Sequence, residues 1–174
     1  MKRVYCAVVL AALVFVYSAA SPISWKRIHL ESAGTISLPA SWNVIAESSP
    51  VMDNAYGNGI SCRSLLTAEE NNSSSLTILT YWPSSGKEPS DVARDVASSL
   101  RKDYSGSSRL RSTAIKFGDI TASSITYPSD SMNAQKVTAF INRGKIYCLV
   151  MTYSTGDEYR ISSLVRHIIS HWRF

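Results

Sequence analysis

Two histidines four residues apart, His167 and His171, stand on what the spacing of apolar residues predicts to be the last helix. At that interval two imidazoles share one helix face and can meet a single metal ion. The intervening Ile168-Ile169-Ser170 holds no glutamate to serve as a general base. Arg160 projects onto the same flank, where a fixed cation opposes a divalent metal. The pair therefore reads as a solvated helix surface, with no metal site expected. Serine is abundant, but no Gly-x-Ser-x-Gly elbow occurs, and His29 lies in a short N-terminal segment without an acid partner. No catalytic or cofactor-binding residue is assigned. A hydrolase with Ser, His and Asp gathered from distant positions stands as the alternative class.

Cys62 and Cys148 both fall in predicted buried strands, as a disulfide or as buried thiols. A bridge requires Cα atoms within ~7 Å, hence strands that are near neighbours. The most basic stretch of the chain holds Arg94, Arg101, Lys102, Arg109, Arg111 and Lys116. Such a patch can attract anionic lipid headgroups or an acidic envelope polymer. Asp91, Asp95 and Asp103 interleave with it, as on any solvated helix surface. Two irregular stretches, Trp82 with Pro83 to Pro89 and the polar run Glu69 to Ser75, are candidate surfaces for a partner, because loops carry function when a rigid sheet presents them.

The elements that must position these groups follow from periodicity. Trp25 to Leu30 reads as a short mixed segment, and strands are predicted over Thr35 to Leu38, Trp42 to Ala46, Ser61 to Thr67 and Leu76 to Trp82, the last two joined as a hairpin by a loop over Glu69 to Ser75. A helix capped by Ser90 carries Val92, Val96 and Leu100 at four-residue spacing. Extended structure resumes at Ala114 to Phe117, followed by strands Asp119 to Tyr127, Ala134 to Asn142 and Lys145 to Tyr153. Arg143-Gly144 is so short a connection that only an antiparallel hairpin fits it. Ile146 to Met151 is almost continuously apolar, as in a central strand covered on both faces. A last helix, capped around Thr155 and Asp157, carries Ile161, Leu164, Val165, Ile168, Ile169 and Trp172 as one stripe. The order predicts an α+β fold, an antiparallel β-sheet with helices packed on it.

The first twenty residues carry an address. Lys2 and Arg3 precede the apolar run Ala7 to Val16, and Ser18, Ala19 and Ala20 suit a signal peptidase. Residues 1–20 are thus predicted to be a signal peptide and 21–174 a single domain, exported to a periplasmic or extracellular place, with no membrane span after signal removal. Cys6 lies upstream of the apolar core, so it is no lipoprotein acylation site. Without Lys2 and Arg3 the 18 basic residues become 16 against 13 acidic, a mild excess of about +3 that argues against nucleic acid as a partner.

Three phrases in order resemble the PsbP-like fold superfamily, which includes exported bacterial DcrB-like proteins. They are Ile36-Ser37-Leu38-Pro39-Ala40-Ser41-Trp42, then Gly144-Lys145-Ile146-Tyr147 with the strand Leu149 to Ser154, and the close Ile168-Ile169-Ser170. The resemblance spans about residues 30 to 174. It implies a PsbP-like α/β/α sandwich, and a binding or assembly role without covalent chemistry and without a cofactor. The expected partner is a protein of the envelope or exterior; an anionic envelope lipid or polymer is the second candidate.

Overall fold

Alternation along the strands sorts the side chains into two layers. In β9 (Lys145–Ser154) the residues Ile146 and Cys148 face one side while Tyr147, Leu149, Met151 and Tyr153 face the other, and both sets are buried. A strand covered twice belongs in the middle, and β9 is the central one of seven. The computed structural model describes residues 23–31, 33–51, 61–71, 73–81, 87–100 and 112–174. The predicted leader, Trp82, and Arg101, Lys102, Arg109 and Arg111 lie outside the described residues.

β1 (Trp25–Leu30) and β2 (Gly34–Pro39) form an antiparallel hairpin of their own. The large sheet contains β3 (Asn43–Glu47), β4 (Cys62–Glu70), β5 (Ser74–Tyr81), β6 (Thr113–Phe117), β7 (Ile120–Pro128), β8 (Asn133–Asn142) and β9 in the order β3-β4-β5-β9-β8-β7-β6, all antiparallel. Helix α1 (Pro89–Leu100) covers one face through Val92, Ala93, Val96 and Ala97. Helix α2 (Glu158–Ser170) and the β1–β2 hairpin cover the other. The layers are those of an α/β/α sandwich, and the predicted order of strands, helix, meander and helix is the observed one.

Local chemistry explains the joints. Arg143 and Gly144 both have positive φ, 48° and 72°, as a two-residue hairpin turn matched to strand twist requires. Leu65 and Leu66 are both buried because the register of β4 on β5 shifts between Ser64 and Leu66, and a bulge returns two consecutive side chains to the core.

Three local expectations are corrected. Helix α1 begins at Pro89, whose fixed φ and missing N–H suit a first helical position, so Ser90 lies inside the helix. The segment Thr155–Asp157 is a 3₁₀ turn, and the Asp157 carboxylate makes no cap hydrogen bond, accepting one from Arg160 Nη2 at 3.1 Å instead. The polar run Glu69 to Ser75 is mostly strand, since β4 extends to Glu70 and β5 starts at Ser74, with Asn71 at φ 46° in the turn.

Cys62 and Cys148 are free, buried thiols in the α1-side layer. Strand β5 separates them: Cys62 pairs with Tyr81 and Cys148 with Leu79. Two strand spacings, about 9–10 Å, already exceed the reach of a disulfide, so this register does not form the bridge. Burial raises both thiols' pKa, which slows their reaction in the native state. Alkylation of the unfolded, unreduced protein is expected to label both; a product with neither labelled would show a bridge and a different register.

Candidate binding site

On β1 the side chains of Ile28 and Leu30 enter the core, which sends Trp25, Arg27 and His29 to the outer face of the hairpin. Register places Pro39, Ser37 and Thr35 of β2 directly opposite them. Helix α2 lies beside this hairpin. Beyond the helix, Trp172 anchors the chain, buried against Phe140 and Tyr147, with its indole Nε1 donating to the Ala33 carbonyl at 2.7 Å. The next residue pairs with β2: Thr35 N donates to Arg173 O at 2.6 Å and Arg173 N to Thr35 O at 2.9 Å. Gly34, at φ +89°, makes that approach feasible, because a Cβ there would stand 2.0 Å from the Arg173 carbonyl oxygen.

An elongated groove results between the outer hairpin face and α2. Its first half is a cavity of about 610 Å³ with Trp25, Pro39 and Trp42 on the hairpin side and Tyr159, Leu164 and His167 on the helix side. Tyr159 and Ile23 are large side chains left mostly in solvent at its mouth, 87% and 63% exposed. Trp42 is fully buried, and its indole N–H has no acceptor among the described residues. Charge in this half is already matched: Arg160 forms an ion pair with Glu70, which also accepts from Ser41 Oγ at 3.0 Å.

The second half is a cavity of about 450 Å³ lined by Arg27, Thr35, Ser37, His171 and Arg173, with no carboxylate among the lining residues. Arg63, Arg94 and Arg160 elsewhere are ion-paired. Neither the Arg27 nor the Arg173 guanidinium has a hydrogen-bond or ion-pair partner among the described residues. A stack of rings joins the two halves. Trp25 lies face to face with His167 at 3.5 Å between centroids and 15° between planes, and His167 with His171 at 4.0 Å and 16°.

That stack corrects the expectation of a solvated histidine pair. His167 is half-buried between two rings, and burial, assisted by the charge of His171, lowers its pKa. Imidazole lone pairs lie in the ring plane, so two nearly parallel rings do not converge on one ion. Ser170 Oγ stands 3.0 Å from His171 Nδ1, yet the hydroxyl sits within reach of the helix carbonyls of Arg166 and His167, at 2.8 and 3.2 Å. No carboxylate reaches either imidazole among the described residues. Among the described residues, the hydrogen-bond partner of the His29 ring is the Thr35 hydroxyl, at 3.5 Å.

Of the proposed basic patch, the described members are Arg94 and Lys116. Arg94 is tied to Asp91 at 3.1 Å on α1, and Lys116 lies on the edge strand β6. The unpaired cations that do converge are Arg27 and Arg173, 146 positions apart, which sequence spacing alone did not bring together. Part of the signal was present: Trp25, Arg27 and His29 alternate with the apolar Ile28 and Leu30. No helix among the described residues is long and apolar enough to cross a membrane.

No sequence-family model matches the chain, and no curated protein matches it by sequence. Among solved structures it is similar to the solution structure of cyanobacterial PsbP (CyanoP) from Synechocystis sp. PCC 6803. That alignment has 14% identity and a TM-score of 0.58, and covers 89% of this chain and 95% of the other. The crystal structure of LpqN, involved in cell envelope biogenesis of Mycobacterium tuberculosis, aligns at 14% identity over 86% and 83% of the two chains with a TM-score of 0.38. Identity this low speaks for fold alone, and the fold rests on the first of these together with the seven-stranded antiparallel sheet between α1 on one face and α2 on the other. The fold of this chain is PsbP-like.

Proposed function

We propose that this chain is an exported, non-catalytic binding protein of the cell envelope or exterior, and that it holds an envelope component in the groove between the β1–β2 hairpin and α2. The observation that carries the reading is the groove itself: exposed aromatic side chains line one half and unpaired guanidiniums the other. Recognition sites combine apolar walls with a few placed polar groups in this way. The predicted leader supports export. The groove's polar groups favour holding over reacting, since Glu70 is committed to Arg160 and Ser41, and the His167 ring is covered on both faces. Fold likeness contributes nothing to activity.

Protein purified from its exported fraction is expected to start within a few residues of Ser21. Used as bait on its own envelope extract, it should retain one reproducible component, protein or lipid, and a Trp25→Ala/Tyr159→Ala variant should lose it. An intact Met1 in the exported fraction would overturn the export reading. A bare bait together with turnover of a generic ester would overturn the binding reading in favour of a hydrolase.

A further inference from the structure

Resting on that binding reading, we infer that the groove takes a single-chain anionic amphiphile, its apolar chain along Trp25, Tyr159 and Leu164 and its head between Arg27 and Arg173. Three observations carry this. The two cavities lie end to end on one hairpin face, because Trp25 and Arg27 are two residues apart on β1, and Pro39, Ser37 and Thr35 alternate opposite them on β2. The Trp25–His167–His171 stack lies between the two cavities, Trp25 and His167 lining the first and His171 the second.

Charge is distributed as an amphiphile requires. In the apolar half the one arginine is neutralised by Glu70 and Asp157. In the other half two guanidiniums, two hydroxyls and an imidazole converge without a carboxylate. Guanidinium forks match carboxylate and phosphate oxygens, and the Thr35 and Ser37 hydroxyls add neutral donors. A free inorganic anion would leave the aromatic half unused, and an uncharged apolar molecule would leave two cations unpaired. A bilayer surface meets convex or flat patches, whereas both halves here are concave and adjoin.

The test is a calorimetric titration of the exported protein with dodecyl phosphate below its micellar concentration, alongside laurate, dodecanol, dodecyltrimethylammonium, inorganic phosphate and phosphatidylglycerol vesicles. Dodecyl phosphate and laurate are expected to bind. Shortening the chain should weaken binding roughly two- to fourfold per methylene. Arg27→Ser and Arg173→Ser should each weaken the anionic probes roughly ten- to hundredfold while leaving dodecanol unchanged, because charged hydrogen bonds are lost and the apolar wall is not. Both side chains are exposed, so the variants fold. Equal binding of the cationic probe, binding of inorganic phosphate as tight as dodecyl phosphate, or binding to vesicles without binding of monomers would overturn the assignment. Absence of binding by any dodecyl probe would overturn this ligand class and leave the bait experiment to decide the broader reading. Recovery of a chemically altered amphiphile would overturn the non-catalytic reading instead.

Discussion

Ile168→Ala is expected to lower stability by ~2–5 kcal/mol, the range for truncating a large aliphatic side chain in a packed core. Ile168 is fully buried on α2, and the stripe Ile161, Leu164, Val165, Ile168 and Ile169 is the helix's apolar attachment to the sheet and hairpin. The surrounding layer includes Tyr147, Leu149 and Met151 of the central strand, whose positions are fixed by pairing on both edges, so the cavity cannot close by moving them. Arg166→Ala, two residues away on the opposite, exposed face of the helix, should change stability by less than ~0.5 kcal/mol. Denaturant unfolding of the two variants measures the contrast. Equal midpoints would mean that α2 is not held by this stripe.

That helix was legible because a 3.6-residue period needs no knowledge of distant residues. The same holds for the Arg143-Gly144 hairpin and for the central place of β9, each determined by a few neighbouring side chains. Polarity was the less reliable guide. Glu69, Glu70 and Ser75 are polar because their strand ends meet solvent, and buried Ser74 accepts from Arg160 Nη2 at 3.3 Å, yet all four remain paired across β4 and β5. The groove was harder still. It exists because Trp172 and Arg173 return to Ala33 and Thr35, a closure across most of the chain that local pattern does not encode. His167 shows the same gap, since its helix face could be read but not the Trp25 ring that covers it.

Lys136 is the other residue whose surroundings pattern concealed. It sits on β8 among apolar neighbours with its side chain only 8% exposed, and its ammonium donates to Glu158 Oε1 at 2.7 Å and Thr126 Oγ1 at 3.1 Å. Glu158 opens α2, where a negative charge also suits the helix N-terminus, and it accepts from the Tyr153 hydroxyl and from Ser162 Oγ at 3.2 Å. The two partners are not equivalent. Removing Glu158 strands a buried cation, whereas removing Lys136 strands a carboxylate that is half in water. Breaking a buried pair from one side costs ~3–5 kcal/mol, and apolar replacement of the buried member is far milder. Glu158→Ala should therefore destabilise by up to ~3–5 kcal/mol and Lys136→Met by clearly less. Acid titration supplies a second readout. Partial burial of Glu158 opposes ionisation, but Lys136, Tyr153 and Ser162 outweigh it and hold the carboxyl below its ordinary value of 4.5. A folded pKa below the unfolded one means that the unfolded state takes up the proton first, so the contribution is complete above pH 4.5 and is lost as pH falls through the lowered value. Wild type should lose stability on that acid limb, and Glu158→Ala should lose less. A steeper limb in Glu158→Ala, or Lys136→Met as the more damaging change, would show that the pair does not hold α2 to β8.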